Sequence, residues 1–269
     1  VRLEDVTHLG RPVDLGYPTN RAIAVVTAAC AVGLTALAAV RGEVFGDAAR
    51  IGAWGALSVF LAWALAREVD PLGERPAFIG AALALGWVVW RPHDIDLAGL
   101  FWALMTLRLV AATTGRPATV LDTVTLLGLT AWVAFGGFAF VAPVAAVAFG
   151  LDGWLGPRPV RRHRAAAVVA LGITIAALWR DGGVQAEWPG GWTAWAVLAA
   201  VVLFVARVMP ADPRRVGDDA HGTPLDPRRV RAAQGLAIAV VVQAWAADAL
   251  PAFIPLAAAL GGAALGPRR

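Results

Sequence analysis

"AIAVVTAACAVGLTALAAV", residues 22–40, runs for 19 positions without a charge, and arginines bound it at Arg21 and Arg41. Length decides its reading. About 20 apolar residues at 1.5 Å rise cross a ~30 Å hydrocarbon core, whereas an amphipathic soluble helix interrupts its apolar stripe every few residues. Further apolar runs, bounded by Arg, Asp, Gly and Pro, fill most of the chain. Composition agrees: 59% of residues are hydrophobic, 16% are charged, and the mean hydropathy is +0.66. An average soluble domain is about 45–50% apolar and about 25% charged. The expected fold class is therefore all-α, a polytopic transmembrane helix bundle.

Ten spans are expected, at 22–40, 51–66, 76–90, 97–113, 118–135, 138–151, 165–179, 192–208, 233–249 and 250–266. Several fall short of a full crossing and must recruit flanking residues, thin the bilayer or fail to cross. The organisation read from these runs is a single membrane domain over 1–269. It comprises a cytoplasmic N-terminal segment at 1–21, a two-helix start at 22–66, a first four-helix unit at 76–151, and a second at 165–266 carrying a cytoplasmic loop at 209–232.

The net charge of +4 and a pI near 10.7 would suit a nucleic-acid binder, but placement excludes that partner. All 23 basic residues are Arg, and nearly all sit at the ends of apolar runs, where positive charge steers topology. With the N-terminus inside, only Arg41, Arg50, Arg91 and Arg180 fall outside and every other arginine falls inside. The positive-inside rule thus favours ten spans with both termini cytoplasmic, in the plasma membrane, the inner membrane for a bacterium. "RPVRRHR" at 158–164 would change sides if 139–151 were re-entrant, and the bias would be lost. Trp87, Trp90, Trp179, Trp188, Trp192 and Trp195 gather at the outer ends, as an interfacial aromatic belt.

Internal echoes point to a parallel repeat of four helices. "AWVAFGGFAF" at 131–140 aligns with "AWAADALPAF" at 244–253, Pro143 with Pro255, and Leu121-Asp122 with Leu225-Asp226. At this length the ten-span layout with both termini inside resembles the drug/metabolite transporter superfamily, which implies transport. That family is built as five plus five inverted helices, whereas the echoes here are four helices apart, and no motif is shared.

Absences close off chemistry. Ser58 is the one serine, and His8, His93, His163 and His221 are read as lying in loops or tails, so a serine-protease triad or a helix-ligated haem is not expected. Without lysine there is no retinal Schiff base and no Walker A motif. Cys30 stands alone, so no disulfide forms within the chain. No metal and no cofactor are expected. Asp218, Asp219, His221 and Asp226 read as a solvated linker rather than a metal site, and His93, Asp94 and Asp96 as a polar turn that caps a helix.

"TLRLVAATTGRPATVLD", residues 106–122, holds the leading candidates, since Arg108 and Asp122 each lie about five residues, roughly 7–8 Å, from the intervening turn. As structure they would pair and fix the hairpin. As function Asp122 would titrate or bind a substrate in a cytoplasmic cavity, with Arg108 setting its pKa. Arg207 with Asp226, and Arg67 with Asp70, repeat the pattern as further substrate-binding candidates. The function favoured is a small-solute or lipid transporter or channel. The alternative is a membrane-embedded lipid-processing enzyme or an accessory subunit of a membrane complex, the latter signalled by a small-residue face such as Gly262 to Gly266. The partners expected are the lipid bilayer and a small-molecule or lipid ligand, with no nucleic acid.

Overall fold

The computed structural model describes residues 6–156, 161–183 and 191–267. Arg2, Arg158, Trp188, Arg268 and Arg269, used above to place the topology, lie outside the described residues. Among the described residues the chain is helical, with ten α-helices, one 3-10 turn, and no strand beyond an isolated bridge between Gly217 and Pro224. The helices are α1 Pro18–Val40, α2 Phe45–Val69, α3 Glu74–Trp90, α4 Leu97–Ala111 and α5 Val120–Phe135. They continue as α6 Val141–Leu155, α7 Arg161–Arg180, α8 Trp192–Arg207, α9 Pro227–Ala246 and α10 Leu250–Leu265.

One helix occupies each expected apolar run. Three of them, α1, α2 and α7, are long and apolar enough to cross a membrane. At 25 residues α2 reaches about 37 Å, whereas the 15 residues of α4 reach only about 22 Å. The helix ends differ from the expected ones because polar residues join helices wherever a cap or partner satisfies them. α2 takes in Asp47 and Arg50, which pair at 3.3 Å across one turn, and α7 takes in Arg161 to Arg164. α9 opens at Pro227, inside the stretch read as a loop, because Asp226 accepts from the Arg228 N–H at 2.8 Å and proline suits the first helical turn.

The chain forms two compact units. The first comprises Val1–Pro12, Phe101–Ala194 and Met209–Leu250, and the second Val13–Leu100, Trp195–Val208 and Pro251–Arg269.

In the first unit α6 packs along α7, and α5 and α9 close around them. Phe149, Leu126 and Val241 are buried there, as is Trp102, whose indole N–H donates to Thr130 Oγ1 at 3.0 Å. In the second unit α2 packs against both α1 and α3. Close approach is achieved by glycine: a Cβ on Gly262 of α10 would fall on the backbone of Gly80 in α3, and one on Gly266 would fall on Pro76. The Gly262 to Gly266 face is thus occupied within the chain. Asp96 accepts from the Ala98 N–H at 3.0 Å and caps α4. Burial pushes its carboxyl above the usual range, against the lowering effect of the Gly99 and Ala98 N–H groups.

Candidate functional site

Arg108 and Asp122 answer to the N-terminal segment rather than to each other. Asp122 is 2% exposed and stands at the third position of α5, where it forms a capping box with Thr119: its carboxylate accepts from the Thr119 N–H at 2.8 Å, and its own N–H donates to Thr119 Oγ1 at 3.1 Å. The same carboxylate accepts from the hydroxyl of Thr7 and from the His8 N–H at 2.9 Å. Arg108, 9% exposed, donates from Nη1 to the Leu9 carbonyl at 3.1 Å. Among the described residues no ion pair joins Arg108 to Asp122. A backbone strap separates their duties, because peptide groups of opposite polarity, the His8 N–H and the Leu9 C=O, each offer a charged side chain a hydrogen bond.

The strap is fastened further by the turn and by the long loop between α8 and α9. Thr119 Oγ1 donates to the Val6 carbonyl at 3.3 Å, His8 Nδ1 lies 2.6 Å from the Pro117 carbonyl, and Leu9 is 2% exposed. Arg11 pairs with Asp219, whose N–H donates to the Thr113 carbonyl at 3.1 Å. Gly115 must be glycine: its φ is +72°, and a Cβ there would strike the Asp218 carboxylate. The 210–229 stretch, expected as a solvated linker, is therefore partly folded, with the Gly217–Pro224 bridge and these contacts holding it.

A second polar cluster lies inside the first unit. His163, expected in a loop, stands in the first turn of α7 and is 0% exposed. Its Nδ1 lies 2.5 Å from Asp152 Oδ2 on α6, and its Nε2 lies 3.4 Å from Thr123 Oγ1 on α5. The other Asp152 oxygen accepts from Arg229 Nη2 on α9, and that nitrogen also donates to the Leu109 carbonyl of α4 at 3.0 Å. The Phe149 ring covers the imidazole at 5.7 Å between centroids. Five helices thus meet on one hydrogen-bonded file, Thr123–His163–Asp152–Arg229. Asp152 and Arg229 neutralise each other, so the file buries one balanced ion pair and one titratable ring.

The sequence reading passed over all three charged members because each sits a few residues outside an apolar run. A signal was present: "RRHR" and "PRRVR" continue directly into apolar runs without an intervening Gly or Pro stop. Arg207 and Asp226 fall in different units. Arg207 is exposed in the last turn of α8, and Asp226 serves as the N-cap of α9. Arg67 lies 3.6 Å from Glu74, and Asp70 is 4% exposed at the end of α2.

Chemically, the file has the order hydroxyl, imidazole, carboxylate of a nucleophile with its base and orienting acid. Thr123 is 7% exposed, however, and its hydroxyl oxygen lies 2.9 Å from the carbonyl of Thr119, the N-cap residue of its helix. The arrangement is suited to holding and passing a proton rather than to attacking a substrate. Compared with protein-family models, curated proteins and solved structures, the chain matches none.

Proposed function

We propose that the chain is a ten-span protein of the plasma membrane, with both termini cytoplasmic, that acts as a small-solute or lipid transporter or channel. The observation that carries the reading is the buried His163–Asp152–Arg229 cluster, tied to five helices of one unit. The cluster lies at the span ends assigned to the cytoplasm, and ionisable groups enclosed among the helices of a membrane bundle mark ion and substrate pathways, since burying them is otherwise costly. The threading has support of its own. The N-terminal strap, the 112–119 turn and the 216–226 loop, all assigned to the cytoplasm, bond to one another in the first unit. In the second unit two connections assigned to the outside also meet: Arg41 Nη1 donates to the Val89 carbonyl at 2.8 Å, and His93 lies 3.8 Å from Glu43. Trp179, 88% exposed, and Trp195, 70% exposed, suit an outer aromatic belt.

The membrane-embedded enzyme keeps one observation on its side, the hydroxyl–imidazole–carboxylate order. The accessory-subunit reading loses its small-residue face to α3. Reconstitution into liposomes separates the readings: osmotic swelling against a panel of small solutes, together with movement of a fluorescent phospholipid between leaflets, should reveal a permeability that Asp152→Asn abolishes. Liposomes as tight as protein-free controls in both assays would overturn the transport reading.

A further inference from the structure

The hydrogens of the buried file are limited in number and must be shared among its members. Both Asp152 oxygens accept, one from Arg229 and one from the ring, so His163 Nδ1 carries a hydrogen. At the other edge Thr123 has a single hydroxyl hydrogen and two neighbours, the Thr119 carbonyl at 2.9 Å and His163 Nε2 at 3.4 Å. With the hydrogen on the shorter contact, Oγ1 offers Nε2 only lone pairs, and the contact is satisfied when Nε2 also bears a hydrogen. With a neutral ring the hydroxyl must turn from Thr119 to Nε2. The two charge states of His163 therefore differ by one proton and one hydroxyl rotation, with no helix needing to move.

We propose that His163 is a proton-binding site and that Thr123 holds the proton on it. Hydronium delivers a proton to Nε2 and departs as water, while the Thr123 hydroxyl turns back to Thr119. Release is the reverse. Resting on the transport reading, this makes the proton the coupling ion. The charges around the ring are consistent with reversible loading. Asp152 on α6 contacts the imidazole and Arg229 on α9 offsets that carboxylate, leaving neither sign in large excess. Asp122 on α5 is turned to the strap and Arg108 on α4 to the Leu9 carbonyl. On α7 itself Arg162 donates to the Ala118 carbonyl, while Arg161 and Arg164 are exposed, as are Arg228 and Arg231 on α9.

The test uses the full chain in lipid nanodiscs with ¹⁵N-labelled histidine, the His163 signals being assigned by their loss in His163→Gln. Across a pH series His163 should change from a doubly protonated to an Nδ1-protonated ring. Thr123→Val, which deletes the acceptor for the charged ring, should lower the midpoint by about one pH unit, and Thr123→Ser should restore it. A ring fixed in one form across the range, or a midpoint unmoved by Thr123→Val, would overturn the proposal. Proton entry into pyranine-loaded proteoliposomes reads the transport step separately. Titration without proton entry upholds the proton site and removes transport. Proton entry that persists in His163→Gln overturns the coupling role.

Discussion

The strap contact can be tested by a double-mutant cycle on Thr7 and Asp122. Asp122 takes three donors outside its own peptide group: the Thr7 hydroxyl, the His8 N–H at 2.9 Å and the Thr119 N–H at 2.8 Å. Asp122→Asn keeps one acceptor oxygen, which can still serve the two backbone N–H groups, and turns its amide toward Thr7 Oγ1. That oxygen already accepts from the Gly10 N–H at 2.8 Å and has one lone pair left. Most bonds survive but lose charge assistance, which is worth about 1 kcal/mol each, so the variant should be destabilised by about 2–4 kcal/mol. Thr7→Val deletes one of the three bonds. Its coupling to Asp122→Asn, read from loss of helical circular dichroism in mixed detergent micelles, should be about 1–2 kcal/mol. The coupling of Arg108→Gln to Asp122→Asn should be the smaller of the two, because those side chains share a strap and not a bond. A dominant Arg108–Asp122 coupling with none at Thr7 would refute the strap and restore a direct ion pair.

Other substitutions probe separate joints. Arg229→Met removes the cationic partner of the largely buried Asp152 carboxylate, leaving it only the His163 ring, and should cost about 3–5 kcal/mol in the same unfolding assay. Gly115→Ala forces an alanine to φ +72° against Asp218 and should cost about 1–3 kcal/mol, whereas Gly128→Ala, with open space around its Cβ, should not destabilise. At Asp96 burial raises the folded-state pKa, so the folded protein binds the proton more tightly than the unfolded chain. This contribution to stability is complete below the unfolded value of about 3.9 and is lost as pH rises through the folded one. Asp96→Asn, which keeps the cap without the charge, should gain stability relative to the parent as pH rises through that window, as read by thermal unfolding at a series of pH values.

What was legible in the sequence follows the strength of its physical signal. An apolar run bounded by arginine admits few alternatives, and every such run carries a helix. The ends were less legible. Asp226 and Pro227 together spell an N-cap and a first turn, yet the surrounding arginines read as linker. The hairpin at 106–122 buries charge, since Arg108 and Asp122 are both below a tenth exposed. Their partners were not legible, because the strap comes from residues about a hundred positions away and offers peptide groups, which carry no sequence signature. The Leu-Asp echo also conceals two roles, Asp122 inside a capping box and Asp226 as an N-cap. The His163 file was missed because apolar periodicity cannot reveal a polar side chain that is buried against neighbouring helices from the first turn of its own.

Threading decides whether the buried file and the strap face the cytoplasm, and single-cysteine labelling reads it directly. On a Cys30→Ser background, Glu43→Cys, Asp94→Cys, Gly137→Cys, Asp181→Cys and Asp248→Cys should react with a membrane-impermeant maleimide applied to intact cells. Asp14→Cys, Leu72→Cys, Arg116→Cys and Arg214→Cys should react only in inside-out vesicles. Labelling of Arg116→Cys or Arg214→Cys from the outside of intact cells would contradict the ten-span account.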